Sequence, residues 1–174
     1  MKQIYDSFFT FVKREYKMKY ICLIMLLSLL GCAQKPEGEF KYYEYRSTTM
    51  REYPREYYRL ERTPENGLTL SWAQHNSPVT VIRVPEEAAE KLTSIILNHR
   101  LYTLKHGYTP PFDVRDGIMW HVYFCFEKGD CSCSSDNAWP PALLRNGIEK
   151  ANAYFCELIS ASAEEDILEV KARD

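Results

Sequence analysis

Ile118-Met119-Trp120-His121-Val122-Tyr123-Phe124-Cys125-Phe126 is the most strand-like stretch of this 174-residue chain, and it sets the fold class. Trp120, Val122, Phe124 and Phe126 fall at every second position, with His121, Tyr123 and Cys125 between them. A period of two sends successive side chains to opposite faces, so one face of this segment is core and the other is polar and aromatic. Glu127-Lys128-Gly129-Asp130 then reads as a turn into Cys131 to Ser135. The two segments together predict a β-hairpin.

Upstream, the same logic gives a second hairpin. Tyr58 and Leu60 alternate with Arg59 and Glu61, and Leu68, Leu70 and Trp72 alternate with Thr69, Ser71 and Ala73. Between them Pro64-Glu65-Asn66-Gly67 is a turn: Pro presets φ, and Asn-Gly supplies positive φ. Phe40 to Arg46 and the β-branched run Val79 to Val84 add two more strands. The period changes to helical after Pro85-Glu86-Glu87, where Ala88, Ala89, Leu92, Ile95, Ile96 and His99 share one stripe. A second stripe, Leu144, Ile148, Ala151, Phe155 and Leu158, follows Trp139-Pro140-Pro141. His99 on its stripe reads as a core-edge histidine. The pattern predicts an α+β fold: a two-layer sandwich with a mostly antiparallel sheet of five or six strands and two amphipathic helices.

The length allows one domain. Hydrophobic residues are 45% and charged residues 26%, which argues against a disordered chain. With a formal charge of -2 and a pI near 6.1, the protein is not a basic nucleic-acid binder. We read 40–162 as a single globular domain and 163–174 as a charged, frayed tail.

The N-terminus carries a different signal. Tyr20 to Leu30 is apolar, too short to span a membrane at roughly 20 residues, and it follows a basic start. That is the h-region of a signal peptide. It closes in Leu29-Leu30-Gly31-Cys32, which resembles the lipobox of bacterial lipoproteins. The resemblance implies that residues 1–31 are a cleaved signal peptide, that Cys32 is lipidated and becomes the first mature residue, and that 32–39 is a polar tether. Met18-Lys19 would make a compact signal start, with translation beginning at Met18; the alternative is a long n-region with Lys13, Arg14, Lys17 and Lys19 as its basic patch. Five basic and two acidic residues lie within 1–32, which leaves 17 basic and 22 acidic beyond them, a net charge of -5. Asp116-Gly117-x-x-Trp120, Ser134-Ser135-x-Asn137 and Pro140-Pro141 are also similar to segments of Gram-negative envelope lipoproteins, a resemblance that implies no activity. The implied location is the cell envelope, the outer membrane favoured over the inner, with the membrane reached through the lipid on Cys32.

Four cysteines remain in the body: Cys125, Cys131, Cys133 and Cys156. With an odd number of residues in the hairpin loop, Cys125 faces Cys133 and a cross-strand disulfide can form. With an even number, Cys133 moves to the Phe124 face. Cys156 lies off the last helix's stripe. The spacing C-x5-C-x-C, even with His121 added, is not that of a zinc site, and no metal or other cofactor is expected. No G-x-S-x-G, H-E-x-x-H or Walker A motif occurs. His121 and Cys125 are four apart on one strand face, about 13 Å, too far for a dyad. Asp113 and Asp116 read as turn residues, and Cys133 with His121 or His106 stays geometrically open.

Leu101 to Gly117 lacks a clean period, and long loops in small domains are often functional. Tyr108, Phe112 and Trp139 give its neighbourhood an aromatic surface suited to a protein or glycan. The leading expectation is therefore a non-enzymatic, membrane-anchored binding or assembly domain, with no nucleic-acid partner. The alternative is a small envelope hydrolase using Asp116, His121 or Cys133.

Overall fold

The structure, a computed structural model, describes residues 34–49, 51–111, 114 and 117–172. The signal peptide, Cys32, Phe112, Asp113 and Asp116 lie outside the described residues. In chain order the elements are β1 (Glu37–Thr48), β2 (Glu56–Thr63), β3 (Gly67–Gln74), β4 (Val79–Arg83), α1 (Glu87–Asn98), a 3-10 turn (Leu101–Thr103), β5 (Gly107–Tyr108), β6 (Met119–Lys128), β7 (Asp130–Asp136), α2 (Ala142–Ala161), a second 3-10 turn (Glu164–Asp166) and β8 (Ile167–Lys171). The fold is α+β.

The strands form one sheet in the order β5-β7-β6-β1-β2-β3-β4-β8, antiparallel throughout except for the β5–β7 pair. The β2–β3 hairpin is in register from Glu56 opposite Gln74 to Thr63 opposite Gly67. Its turn takes positive φ only at Gly67, +70°, while Asn66 stays on the ordinary side. A single left-handed residue is the requirement of a three-residue hairpin loop, and glycine meets it without steric cost.

Helices α1 and α2 pack on one face of the sheet. Tyr43 and Phe124 stack there, Phe155 of α2 lies against Tyr43 and Tyr58, and Leu60, Leu70, Ile82, Leu92, Ile96 and Ile148 complete a fully buried core. Both predicted stripes face this core: Ala88, Ala89, Leu92 and Ile96 on α1, and Leu144, Ile148, Ala151 and Phe155 on α2. The helices also bond each other through Lys91 and Glu157 at 3.1 Å. Gly147 permits a close approach, since a Cβ there would sit 2.5 Å from the Cβ of His99.

Four expectations are corrected. The sheet has eight strands, not five or six: β5 is two residues long and shows no period, and β8 comes from the segment read as a frayed tail. Residues 167–171 pair with β4, with Thr80 opposite Val170 and Val81 opposite Glu169. As an edge strand this segment stays mostly exposed, which is why its sequence reads as a solvated tail. The domain also starts earlier than Phe40: Glu37 to Glu39, assigned to the tether, already belong to β1, and Glu37 pairs with Lys128 ahead of a register shift near Phe40. Finally, Leu101–Gly117 is not one loop, because it contains a 3-10 turn and β5.

A fifth correction concerns the disulfide expected between Cys125 and Cys133. The hairpin loop is even, so Val122 faces Cys133, Phe124 faces Cys131 and Cys125 faces Asp130. Cys125 and Cys133 therefore leave opposite faces of the sheet. Cys125, Cys131, Cys133 and Cys156 are all free thiols.

Candidate functional site

Among the described residues no helix lies on the second face of the sheet. Register places its side chains in rows. Ser134, His121, Arg46 and Tyr57 make one row, and Ser132, Tyr123, Glu44 and Arg59 make the next. These positions are the odd partners of the core alternation, so the pattern that buries Tyr43, Tyr45, Val122 and Phe124 necessarily presents them.

The two rows differ in how their charges are matched. The Arg59 guanidinium lies 3.0 Å from Glu44 and 2.8 Å from Glu61, and 4.9 Å over the Tyr42 ring. Arg46 instead donates from Nη1 to the Tyr53 hydroxyl at 3.2 Å, with its guanidinium 6.0 Å from that ring. Tyr53 belongs to the β1–β2 connection. That connection is tied to the neighbouring turn: the Tyr53 N–H donates to Asn76 Oδ1 at 2.8 Å, His75 N–H to Arg55 O at 3.0 Å, and Arg55 N–H to Ser47 O at 2.8 Å.

Between Arg46 and Asp136 the face sinks into a groove of about 570 Å³. Tyr53, Met119, His121 and Ser134 line it, with Gly107 and Thr109 at the sheet edge. Beyond Arg46 and Tyr53 a second hollow of about 390 Å³ runs over Tyr57, Val79 and Val81. His121 Nδ1 lies 2.7 Å from Ser134 Oγ. Burial pushes the His121 pKa below its usual value, and the nearby Arg46 charge adds to this against the opposing effect of Glu44. Asp136 accepts a bond from Asn137 Nδ2 at 2.7 Å.

The lowered His121 pKa has a testable sign. Between 6.5, its unfolded value, and its lower folded value, the unfolded chain binds more protons than the folded one. His121 therefore favours the fold fully above about pH 6.5 and ceases to do so as pH falls through that window. In urea titrations from about pH 7 downward, His121→Gln should lose less stability than the parent chain. Parallel curves for the two proteins would show that His121 is not held neutral by the fold.

The structure separates several residues that the sequence grouped. Cys133 is buried on the helix side, where burial pushes its thiol up to about 11, and His121 lies on the opposite face. A Cys133–His121 dyad is thus excluded by register. Cys131 is pushed up to about 12 by burial, with Cys133 and Asp130 adding to it. Among the described residues no three His, Cys, Asp or Glu side chains converge as metal ligands.

Tyr108 and Trp139 do come near each other, but through a third ring. Trp120 is buried and stacks with Tyr108 at 6.3 Å and with Trp139 at 5.2 Å. Its indole N–H donates to Ala138 O at 2.7 Å. The alternation puts the Trp120 ring on the helix side, where the stack braces the entrance to α2, and at the sheet edge Tyr108 and Trp120 also border the groove. Trp139 is partly exposed and lies under the Arg145 guanidinium at 5.2 Å.

Arg46, Tyr53, Met119 and Ser134 are not marked as site residues by any sequence motif. The available signal was parity: once Tyr43 and Tyr45 are assigned inward, Arg46 must share a face with His121. Tyr53 had no such signal, because the seven-residue connection between β1 and β2 fixes it through backbone bonds. Against known proteins, no family matches the chain and no curated protein matches it.

Proposed function

We propose that this chain is a lipid-anchored lipoprotein of the bacterial envelope, held through Cys32, with the outer membrane favoured over the inner. Its two-layer α+β domain binds a protein or glycan partner without catalysis. The observation that carries the binding reading is the helix-free sheet face, with a groove where Arg46, His121 and Ser134 meet Tyr53 and Met119. Ligand sites commonly combine a concave, largely apolar surface with a few convergent polar groups. The anchor reading is supported by Leu29-Leu30-Gly31-Cys32 behind a short apolar run. The net charge of -5 beyond Cys32 speaks against nucleic acid as the partner.

A hydrolase is the second reading, and one contact favours it: the 2.7 Å approach of His121 to Ser134. The contact uses Nδ1, and among the described residues no carboxylate bonds the other ring nitrogen. A base without an orienting partner is an incomplete nucleophile-activating set. A fluorophosphonate probe decides between the two readings. No adduct is expected on Ser134, and a stoichiometric adduct there that disappears in His121→Ala would replace the binding reading by the hydrolase. Palmitate incorporation at Cys32 tests the anchor.

A further inference from the structure

We propose that the groove on the helix-free face is a binding site for an organic carboxylate, anchored by Arg46. The inference rests on reading that face as a binding surface, and it gives the surface a ligand class.

The contrast between two arginines carries the argument. Arg59 and Arg46 lie on neighbouring strands and the same face, and each is partly buried. Arg59 is neutralised twice, by Glu44 and Glu61. Arg46 has no carboxylate at ion-pair distance among the described residues; its one polar side-chain contact is the Tyr53 hydroxyl. Glu44, two positions along the same strand, is committed to Arg59. A guanidinium offers five N–H donors in a planar fork suited to carboxylate, and Arg46 points only one of them at Tyr53. A charge removed from bulk water without a partner is costly, so an unmatched guanidinium beside a concavity favours an anion there.

The other groups of the groove narrow the ligand further. Tyr53 and Met119 supply apolar surface for its body. Ser134 and His121 occupy the middle of the floor. Asp136 stands at the end away from Arg46, where a second anion would be repelled and a hydroxyl or amine donor accepted. The ligand is thus an acid at one end and a hydrogen-bond donor at the other, of the size of a sugar or a dipeptide for about 570 Å³. Two sources share this chemistry: a sugar acid within a glycan, and the C-terminal carboxylate of a peptide.

Calorimetric titration of the full-length chain in detergent micelles at low salt separates these sources and tests the claim. D-glucuronate is compared with D-glucose, and N-acetyl-alanyl-alanine with its C-terminal amide. At least one acid should bind about tenfold or more tighter than its uncharged counterpart, the worth of one charge-assisted contact. Arg46→Gln should erase that ratio at an unchanged thermal midpoint, Arg46→Lys should keep part of it, and Arg59→Gln should leave it intact. The proposal is overturned if no acid binds, if acid and neutral counterpart bind alike, or if Arg46→Gln preserves the preference. Equal binding of acid and neutral forms, lost in Met119→Ala, would remove the carboxylate while leaving the face as a binding surface. Palmitate incorporation is independent of every one of these outcomes.

Discussion

Replacing Phe155 by alanine should lower the unfolding free energy by about 3–5 kcal/mol, the range for truncating a buried phenylalanine. Phe155 is fully buried on α2. Its ring lies 5.6 Å from Tyr43 and 5.5 Å from Tyr58, so one side chain joins the helix layer to both β1 and β2. Alanine would leave a cavity walled by two tyrosines on separate strands. Phe155→Leu keeps most of the volume and should cost less than half as much. Urea unfolding at constant slope measures both changes. A cost for Phe155→Ala below about 1.5 kcal/mol, the level of a volume-conserving swap, would mean that α2 does not pack there.

Trp120→Ala should cost a similar amount, about 3–5 kcal/mol, and for two separable reasons. The ring is buried between Tyr108 and Trp139, and its indole N–H satisfies the Ala138 carbonyl just before α2. Trp120→Phe keeps most of the stacking and drops the hydrogen bond, a loss of about 1 kcal/mol. Trp139→Ala should cost clearly less than Trp120→Ala, because Trp139 is 37% exposed whereas Trp120 is buried. Equal losses at the two tryptophans would contradict the bracing role assigned to Trp120.

Period and turn chemistry carried most of the fold into the sequence. Trp120, Val122, Phe124 and Phe126 are buried as their alternation requires, and Ala88, Leu92 and Ile96 on one helix and Leu144, Ile148 and Phe155 on the other lie in the core. Edges were illegible for a physical reason. β8 buries little, so selection for a solvated edge gives Glu169 and Lys171 the appearance of a tail, and β5 is too short to show any period. Loop parity was open in the sequence, because Glu127 to Asp130 admits either count. The register of Val122 with Cys133 resolved it and removed the disulfide. The site was less legible than the fold. Aromatic count pointed to Tyr108 and Trp139, which pack around Trp120; Tyr108 borders the groove and Trp139 does not line it, while the groove's polar groups form a row from three strands. Such a row exists only once register is known.

The anchor is tested most directly by metabolic labelling with palmitate in a Gram-negative host, followed by immunoprecipitation of the full chain and of Cys32→Ala. The lipoprotein account predicts a labelled, processed band for the parent chain, and an unlabelled, uncleaved precursor for Cys32→Ala. Label retained by Cys32→Ala, or a parent chain that takes up none, would contradict it.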